Sequence, residues 1–454
     1  MQHFSILSRL GLLAAAVGLL SPSETLAQTA FTAGNYVVTR VGDGTAALSS
    51  AATAVYLLEY SPAGTLVQTV AIPTADASPN RGFTLTGNAT TEGLLSRSAD
   101  GRYLLMAGYN AVPGTASVNT TAAATTNRVV ARVASSGTLN TTTLITDAFD
   151  ASAVRSVASA NGSAFYVVGA ASGVRYVTLG STGATTGLTA TTGTTGVPAN
   201  LRAVGLASGN LYVSTASQGV YGLAQIGTGQ PTTTGQTITP LAGFPTAAGP
   251  SSYSFFFADL STTVPGPDVV YVADDRSTTD GGIQKWSLSG STWALNGVIG
   301  GNTSAALRGI TGSINGSTVT LAAAGGGGLF VVTDNAGYNA VPSTATLPTA
   351  VATASTNTAF RGVALAPLAT ALAARPATAL ELGIYPNPAT DVLTIALPGT
   401  SPLGHTAEVR DLLGRTVRAA TLPASGEVSL TGLPAGTYLL TVDGTLTRRL
   451  TKGE

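Results

Sequence analysis

Three acids crowd one short segment, YVADDRSTTDGGIQKW, as Asp274, Asp275 and Asp280. Three carboxylates on one loop can hold a hard cation such as calcium through oxygen ligands. The alternating Asp-x-Asp-x-Asp-Gly order of an EF-hand is missing, however. Asp274 and Asp275 also suit a structural role, ending a strand and capping its turn with Arg276 as local partner. That role is the preferred reading, with calcium at Asp274, Asp275 and Asp280 as the alternative. Other chemistry is quickly bounded. The chain has two His, His3 and His405, and no Cys. The long region between them therefore has no Ser-His-Asp triad, no cysteine nucleophile and no His- or Cys-ligated zinc.

An arginine recurs as Arg97, Arg155, Arg202, Arg308 and Arg361, in LLSRSADG, VRSVASANG, LRAVGLASG, LRGITGSING and FRGVALAP. Each is expected at the start of an innermost strand. Set in a ring, Arg155, Arg202, Arg308 and Arg361 can grip a carboxylate or phosphate. Alternatively their stems pack between repeats and their guanidiniums bond carbonyls or a neighbouring Asp. Repetition favours the second reading, because repeats reproduce their joints. The Gly-rich AAAGGGGLF (322–330) lacks the Gly-Lys-Ser/Thr ending of a phosphate loop, so a close turn is expected there. Tyr253, Phe255, Phe256, Phe257, Trp286 and Trp293 can offer a sugar-stacking face, but filling the space between repeats is the preferred reading.

The arginine segments are also the repeating unit. Each reads as a short strand, a Gly-centred turn and a second strand, usually followed by a third such as GVYGLAQIG from Gly219. Arg155 and Arg202 are 47 positions apart, and Arg308 and Arg361 are 53 apart. The 106 from Arg202 to Arg308 span two units, with YSFFFADL from Tyr253 in the middle slot. Four short strands per ~40–50 residues is a propeller-blade signature. FRGVALAP is a lone first strand, whereas NYVVTRVG, AVYLLEYS and LVQTVAIP are three strands without a first. Joining the two ends completes a blade and removes the open sheet edges. The expectation is an all-β fold: a β-propeller of about six blades over 28–368, closed by N- and C-terminal strands. Asp76–Gly93 and Ala111–Asn127 fit no strand slot and leave seven blades open.

Both ends read as addresses. Arg9 precedes an apolar run, Leu10–Leu20, and Thr25-Leu26-Ala27 resembles a cleavage site. The run is shorter than the roughly 20 residues a bilayer span needs. Residues 1–27 are therefore read as a signal peptide, and the mature form is expected to have no transmembrane helix. Residues 369–383 read as a linker. Beyond it, YPNPATDVLTI, AEVRDLLGRTVRAATL and GTYLLTVDGTLTRRLTK alternate as strands, with turns at Leu413-Gly414 and Asp443-Gly444. A small immunoglobulin-like β-sandwich over 384–454 follows. Pro386 and Pro388 bar helix, and Asn387 and Asp391 can bond their own backbone in turns. Tyr385, Pro386, Asn387, Pro388 and Asp391, then Asp411, Gly414 and Arg415, then Gly436, Tyr438 and Lys452, resemble in order the motifs of the C-terminal sorting domain of the Bacteroidetes type IX secretion system. The resemblance implies recognition by the type IX machinery at the outer membrane, removal of the domain, and release or surface attachment. The central region resembles secreted bacterial β-propellers in architecture only.

Charged residues are 9% of the chain, with 21 of each sign. No basic stripe exists, so no nucleic-acid partner is expected. The reading is a protein exported to the medium or the outer cell surface, a propeller that binds a glycan or protein ligand or serves as a scaffold. It is read as non-catalytic and without a cofactor. The alternative is an extracellular carboxylate- or calcium-dependent polysaccharide hydrolase or lyase.

Overall fold

A computed structural model describes residues 29–189, 199–217, 220–369, 382–397, 400–444 and 446–454. The signal-peptide reading, 1–27, and most of the linker reading lie outside the described residues. The chain divides into two compact units, residues 1–369 and 370–454.

In the first unit the described residues form six radial sheets. Blade 1 joins Ala359–Leu365 to Tyr36–Val41, Val55–Tyr60 and Leu66–Ala71. Blade 2 is Ser96–Arg97, Tyr103–Tyr109, Arg128–Ala134 and Leu139–Ile145. Blade 3 is Val154–Ala158, Ala164–Gly169, Arg175–Thr178 and Thr186–Gly187. Blade 4 is Leu201–Ala207, Asn210–Ser217, Val220–Ile226 and Ile238–Pro240. Blade 5 is Ser252–Ala258, Val269–Asp274, Gly282–Ser289 and Thr292–Ile299. Blade 6 is Leu307–Asn315, Thr318–Gly325 and Gly328–Asp334. The first strand of every blade packs on the first strands of its two neighbours, and the cycle closes from blade 6 through blade 1 to blade 2. The fold is a six-bladed propeller.

Each blade is sandwiched between two others, so both its faces are buried. Its strands therefore read as near-continuous apolar runs (YVVTRV, AFYVVG, VVYVAD) rather than as strict alternation. Successive side chains still face opposite ways. Val37 and Val41 pack toward blade 2, while Tyr36 and Val38 pack toward blade 6. Separate apolar clusters fill the gaps between blades 2 and 3, 3 and 4, 4 and 5, and 5 and 6. Where the backbones of neighbouring first strands approach most closely, only glycine fits. A Cβ on Gly362 would lie 2.1 Å from the Leu95 nitrogen, and one on Gly309 would lie 2.9 Å from the Val363 nitrogen.

Ring closure follows the expected pairing. Tyr36 opposes Leu365, Val38 opposes Val363 and Val41 opposes Ala359. The two segments that left seven blades open are connections. Asp76–Gly93 runs between blades 1 and 2, and its Leu85–Thr86 pairs with Ala52–Thr53. Ala111–Asn127 joins two strands of blade 2 and tucks in Val118 and Ala123. Arg128, fully buried, bonds the carbonyls of Thr121, Thr126 and Ser152 and so pins that loop from below.

The second unit is a sandwich of two antiparallel sheets. One holds Gly383–Tyr385, Val392–Ala396 and Glu427–Ser429. The other, in spatial order, holds Thr416–Thr421, Thr406–Arg410, Gly436–Val442 and Leu446–Lys452. Leu393, Ile395, Val409, Val428, Leu440 and Leu450 fill its core. The last hairpin turns at Asp443 and Gly444, whose φ angles of 50° and 66° are both left-handed, a conformation Asp and Gly tolerate better than most residues.

Candidate functional site

The recurring arginines sit at bulges in the first strands. The ladder slips between Val154 and Ser156, between Leu201 and Ala203, and between Leu307 and Gly309, leaving Arg155, Arg202 and Arg308 as the extra residues. Arg361 occupies the equivalent bulge in blade 1, and Tyr253 takes the slot in blade 5. Each reaches a neighbouring blade or its approach. Arg155 donates to Asn200 Oδ1 at 2.7 Å and to the Leu201 carbonyl. Arg202 donates to Ser251 Oγ at 2.5 Å. Arg361 donates to the Gly87 carbonyl at 2.7 Å. Arg308 binds Asp275 Oδ2 through Nε and Nη2 at 2.9 and 2.7 Å. The Tyr253 ring lies between Arg202 and Arg308, 4.5 and 5.3 Å from their guanidinium carbons. Burial lowers the Arg155 pKa and lowers that of Arg361 to about 10. These groups span the gaps between blades.

Arg97 is different. The residue two places after each slot faces the preceding blade: Val157, Val204, Phe255, Ile310 and Val363. In blade 2 that role belongs to Leu95, packed against blade 1. The slot therefore falls on Gly93, where the Arg361 stem lies against the backbone. Arg97, expected at the start of its strand, is instead the last residue of Ser96–Arg97. It donates to the Ala366 carbonyl at 3.2 Å.

Leu94, Ala203 and Tyr253 come from blades 2, 4 and 5 and cluster together, which is possible only on the axis. Beyond this plug, the opposite end of the channel opens into a cavity of roughly 400 Å³ walled by the first strands of all six blades. Small residues and hydroxyls dominate its wall. Among the described residues of the lining, Ser208, Ser254 and Thr311 have hydroxyls without an intramolecular hydrogen-bond partner, Phe255 and Phe257 line it from the apolar cluster between blades 4 and 5, and Arg97 and Asp259 are the charged groups.

The acid segment is drawn apart by its partners. Asp274, buried, accepts from Arg276 Nε at 2.7 Å and from the Ser251 nitrogen at 2.9 Å. Asp275 takes Arg308 and the Ser251 hydroxyl. Asp280 contributes its carbonyl to Arg276 and Gln284. Among the described residues no three His, Cys, Asp or Glu are grouped to hold a metal. Trp286 and Trp293 are buried between blades 4 and 5, where Trp286 stacks on Phe244 with ring centres 4.2 Å apart. Phe256 packs between blades 5 and 6.

Two polar clusters carry no sequence motif. Lys285 and Asp334 are both fully buried and pair at 2.8 Å across blades 5 and 6. Tyr271 donates to the same carboxylate at 2.6 Å, and Lys285 also donates to the Gly337 carbonyl. Burial alone would raise the Asp334 pKa, but the bonds from Lys285, Tyr271 and the Ser343 and Ala336 backbone outweigh it and leave it lowered. A solitary lysine inside the strand GIQKWSLS was the available signal. The second cluster is Glu92, which accepts from the Thr86 nitrogen and hydroxyl and from the Tyr109 hydroxyl. Burial raises its pKa to about 7, against the pull of those bonds and of Arg361.

In the second unit the motif residues divide between exposed and anchored groups. Asp411 caps its turn, accepting from the Leu413 and Arg415 nitrogens and from Arg415 Nε. This leaves Leu412 and Leu413, 72% and 80% exposed, at the tip above Gly414. Tyr438 donates to the Pro434 carbonyl two residues before Gly436. Lys452 is nearly buried, 4.0 Å from Asp391. Residues 383–452 match the family described as secretion system C-terminal sorting domain. The chain carries a type IX sorting domain. That domain makes the protein a secreted or cell-surface one, and among the described residues no helix is long and apolar enough to cross a membrane.

A comparison with curated proteins found no match. Solved structures are only distantly similar. The nidogen/laminin complex gives 11% identity and a TM-score of 0.41, covering 73% of this chain and 98% of that one. A gluconolactonase from Xanthomonas campestris gives 10% and 0.38, covering 63% and 88%. A structural-genomics protein of unknown function from Bacteroides thetaiotaomicron gives 12% and 0.37, covering 65% and 68%. Likenesses of this order carry no argument about a ligand.

Proposed function

We propose that the exported propeller is a binding module and that its ligand enters the axial cavity. The observation that carries this reading is the cavity itself. Six blades build a concave site of ligand-pocket size, whose wall holds Phe255 and Phe257 and the hydroxyls of Ser208, Ser254 and Thr311. An apolar face with a few free hydrogen-bonding groups suits a sugar unit of a glycan. A two-carboxylate hydrolase would need a second acid, and among the described residues Asp259 is the one carboxylate in the wall. The test is a glycan array with the purified protein, with and without calcium, followed by titration of any ligand found. Ala207→Trp at the mouth is expected to abolish binding without changing the melting temperature. Undiminished binding by Ala207→Trp removes the cavity from consideration.

A further inference from the structure

The sorting domain ends in an edge strand. Leu446–Lys452 is last in its sheet and pairs on one side only, with Gly436–Val442. Open edges invite pairing with another chain and are usually covered. Here the cover is the segment that opens the domain, sixty residues earlier in sequence. Asn387 Nδ2 donates to the Arg449 carbonyl at 3.1 Å, and Asn387 Oδ1 accepts from the Thr451 nitrogen at 2.8 Å. Ala389, fully buried, continues the pairing: its nitrogen donates to the Thr451 carbonyl at 2.8 Å and its carbonyl accepts from the Gly453 nitrogen at 2.7 Å. Four successive outward backbone groups of the last strand are thereby satisfied, the first two by one side chain. A primary amide carries the same donor and acceptor as a peptide group. It can therefore extend the ladder where Pro386 and Pro388, which have no N–H, cannot donate.

We infer that Asn387 is a positioning residue of the sorting signal. Its amide stands in for a peptide group, closes the edge of the last strand, and joins the two ends of the domain into one element on which the export machinery docks. The Tyr385–Asp391 motif and the residues around Lys452 are then a single feature, although the sequence separates them. This inference is independent of the cavity and its ligand.

The test uses the full-length protein, with hydrogen exchange of the 446–454 peptide and the extracellular fraction as paired readouts. Asn387 is exposed, so Asn387→Ala leaves no cavity. It is expected to speed exchange at Thr451 on the order of tenfold, the effect of one or two lost hydrogen bonds, and to lower export. The propeller's melting temperature stays unchanged and reports that the chain folds. Asn387→Asp keeps the acceptor for the Thr451 nitrogen but loses the donor to the Arg449 carbonyl, so its Thr451 exchange falls between wild type and Asn387→Ala. Unchanged exchange in Asn387→Ala overturns the inference. Lost export with unchanged exchange also overturns it, because the machinery then reads Asn387 directly. Faster exchange with full export overturns it as well, because edge closure then plays no part in sorting.

Discussion

Glu92 should make the propeller less stable at neutral than at mildly acidic pH, against the usual direction for a carboxylate. Its carboxyl is fully buried and its pKa is raised from 4.5 to about 7. Below 4.5 the group is protonated in both folded and unfolded chains and costs nothing. Between 4.5 and 7 the unfolded chain ionises while the folded chain keeps its proton, so stability falls as pH rises. At 1.36 kcal/mol per pH unit the gap is worth about 3 kcal/mol, fully lost above pH 7. Glu92→Gln removes the titration. Its carbonyl can accept from the Thr86 nitrogen while its amide donates to the Thr86 and Tyr109 hydroxyls, which rotate to accept. Acids held below the ordinary value, such as Asp76 and Asp334, lose their contribution only below 3.8, outside this window. The assay is urea unfolding of both proteins from pH 4.5 to 8. The variant should match wild type near pH 4.5 and exceed it by about 3 kcal/mol at pH 8. A constant difference across the range would refute the reasoning.

Lys285→Met strands the Asp334 charge and should cost about 3–5 kcal/mol in the same unfolding assay. Adding Asp334→Leu and Tyr271→Phe should recover most of it. Ending the chain at Ala350 removes Ala359–Leu365, opens blade 1, and should broaden thermal unfolding and cause aggregation visible by light scattering. Ending it at Ala369 leaves every blade complete, and its melting curve should match that of the full chain. Deleting 383–454 should leave the propeller folded, by circular dichroism, but retained in the periplasm by cell fractionation.

The blades were legible because each repeats a pattern that local chemistry dictates: apolar strand, Gly-centred turn, apolar strand. Ring closure was legible from incompleteness at both ends, a lone first strand at Phe360 and three strands without one near Tyr36. The slot of Arg97 was misplaced because residue type was matched instead of facing. The residue two places after Arg155, Arg202, Arg308 and Arg361 is apolar and turned to the preceding blade. Two places after Arg97 stands Ala99, beyond its strand, whereas Leu95 takes that place and puts Gly93 in the slot. A Gly in a register of arginines looks like a gap in sequence. In space it is the surface on which the Arg361 stem rests.

The cavity was not legible, and the reason is the same scarcity of charge that made the chain look chemically empty. Many of the propeller's buried or half-buried cations are committed to holding elements together: Arg155, Arg202, Arg308 and Arg361 between blades, Arg128 under its loop, Lys285 across blades 5 and 6. What lines the cavity is the hydroxyls of Ser208, Ser254 and Thr311, the rings of Phe255 and Phe257, which also pack between blades 4 and 5, and Arg97, which has no acidic partner among the described residues. They come from blades 2, 4, 5 and 6, which the sequence keeps apart. No motif marks such residues, because nothing local requires them. Their positions follow from blade register, and their chemistry is whatever each blade presents once its joint to the next blade is made.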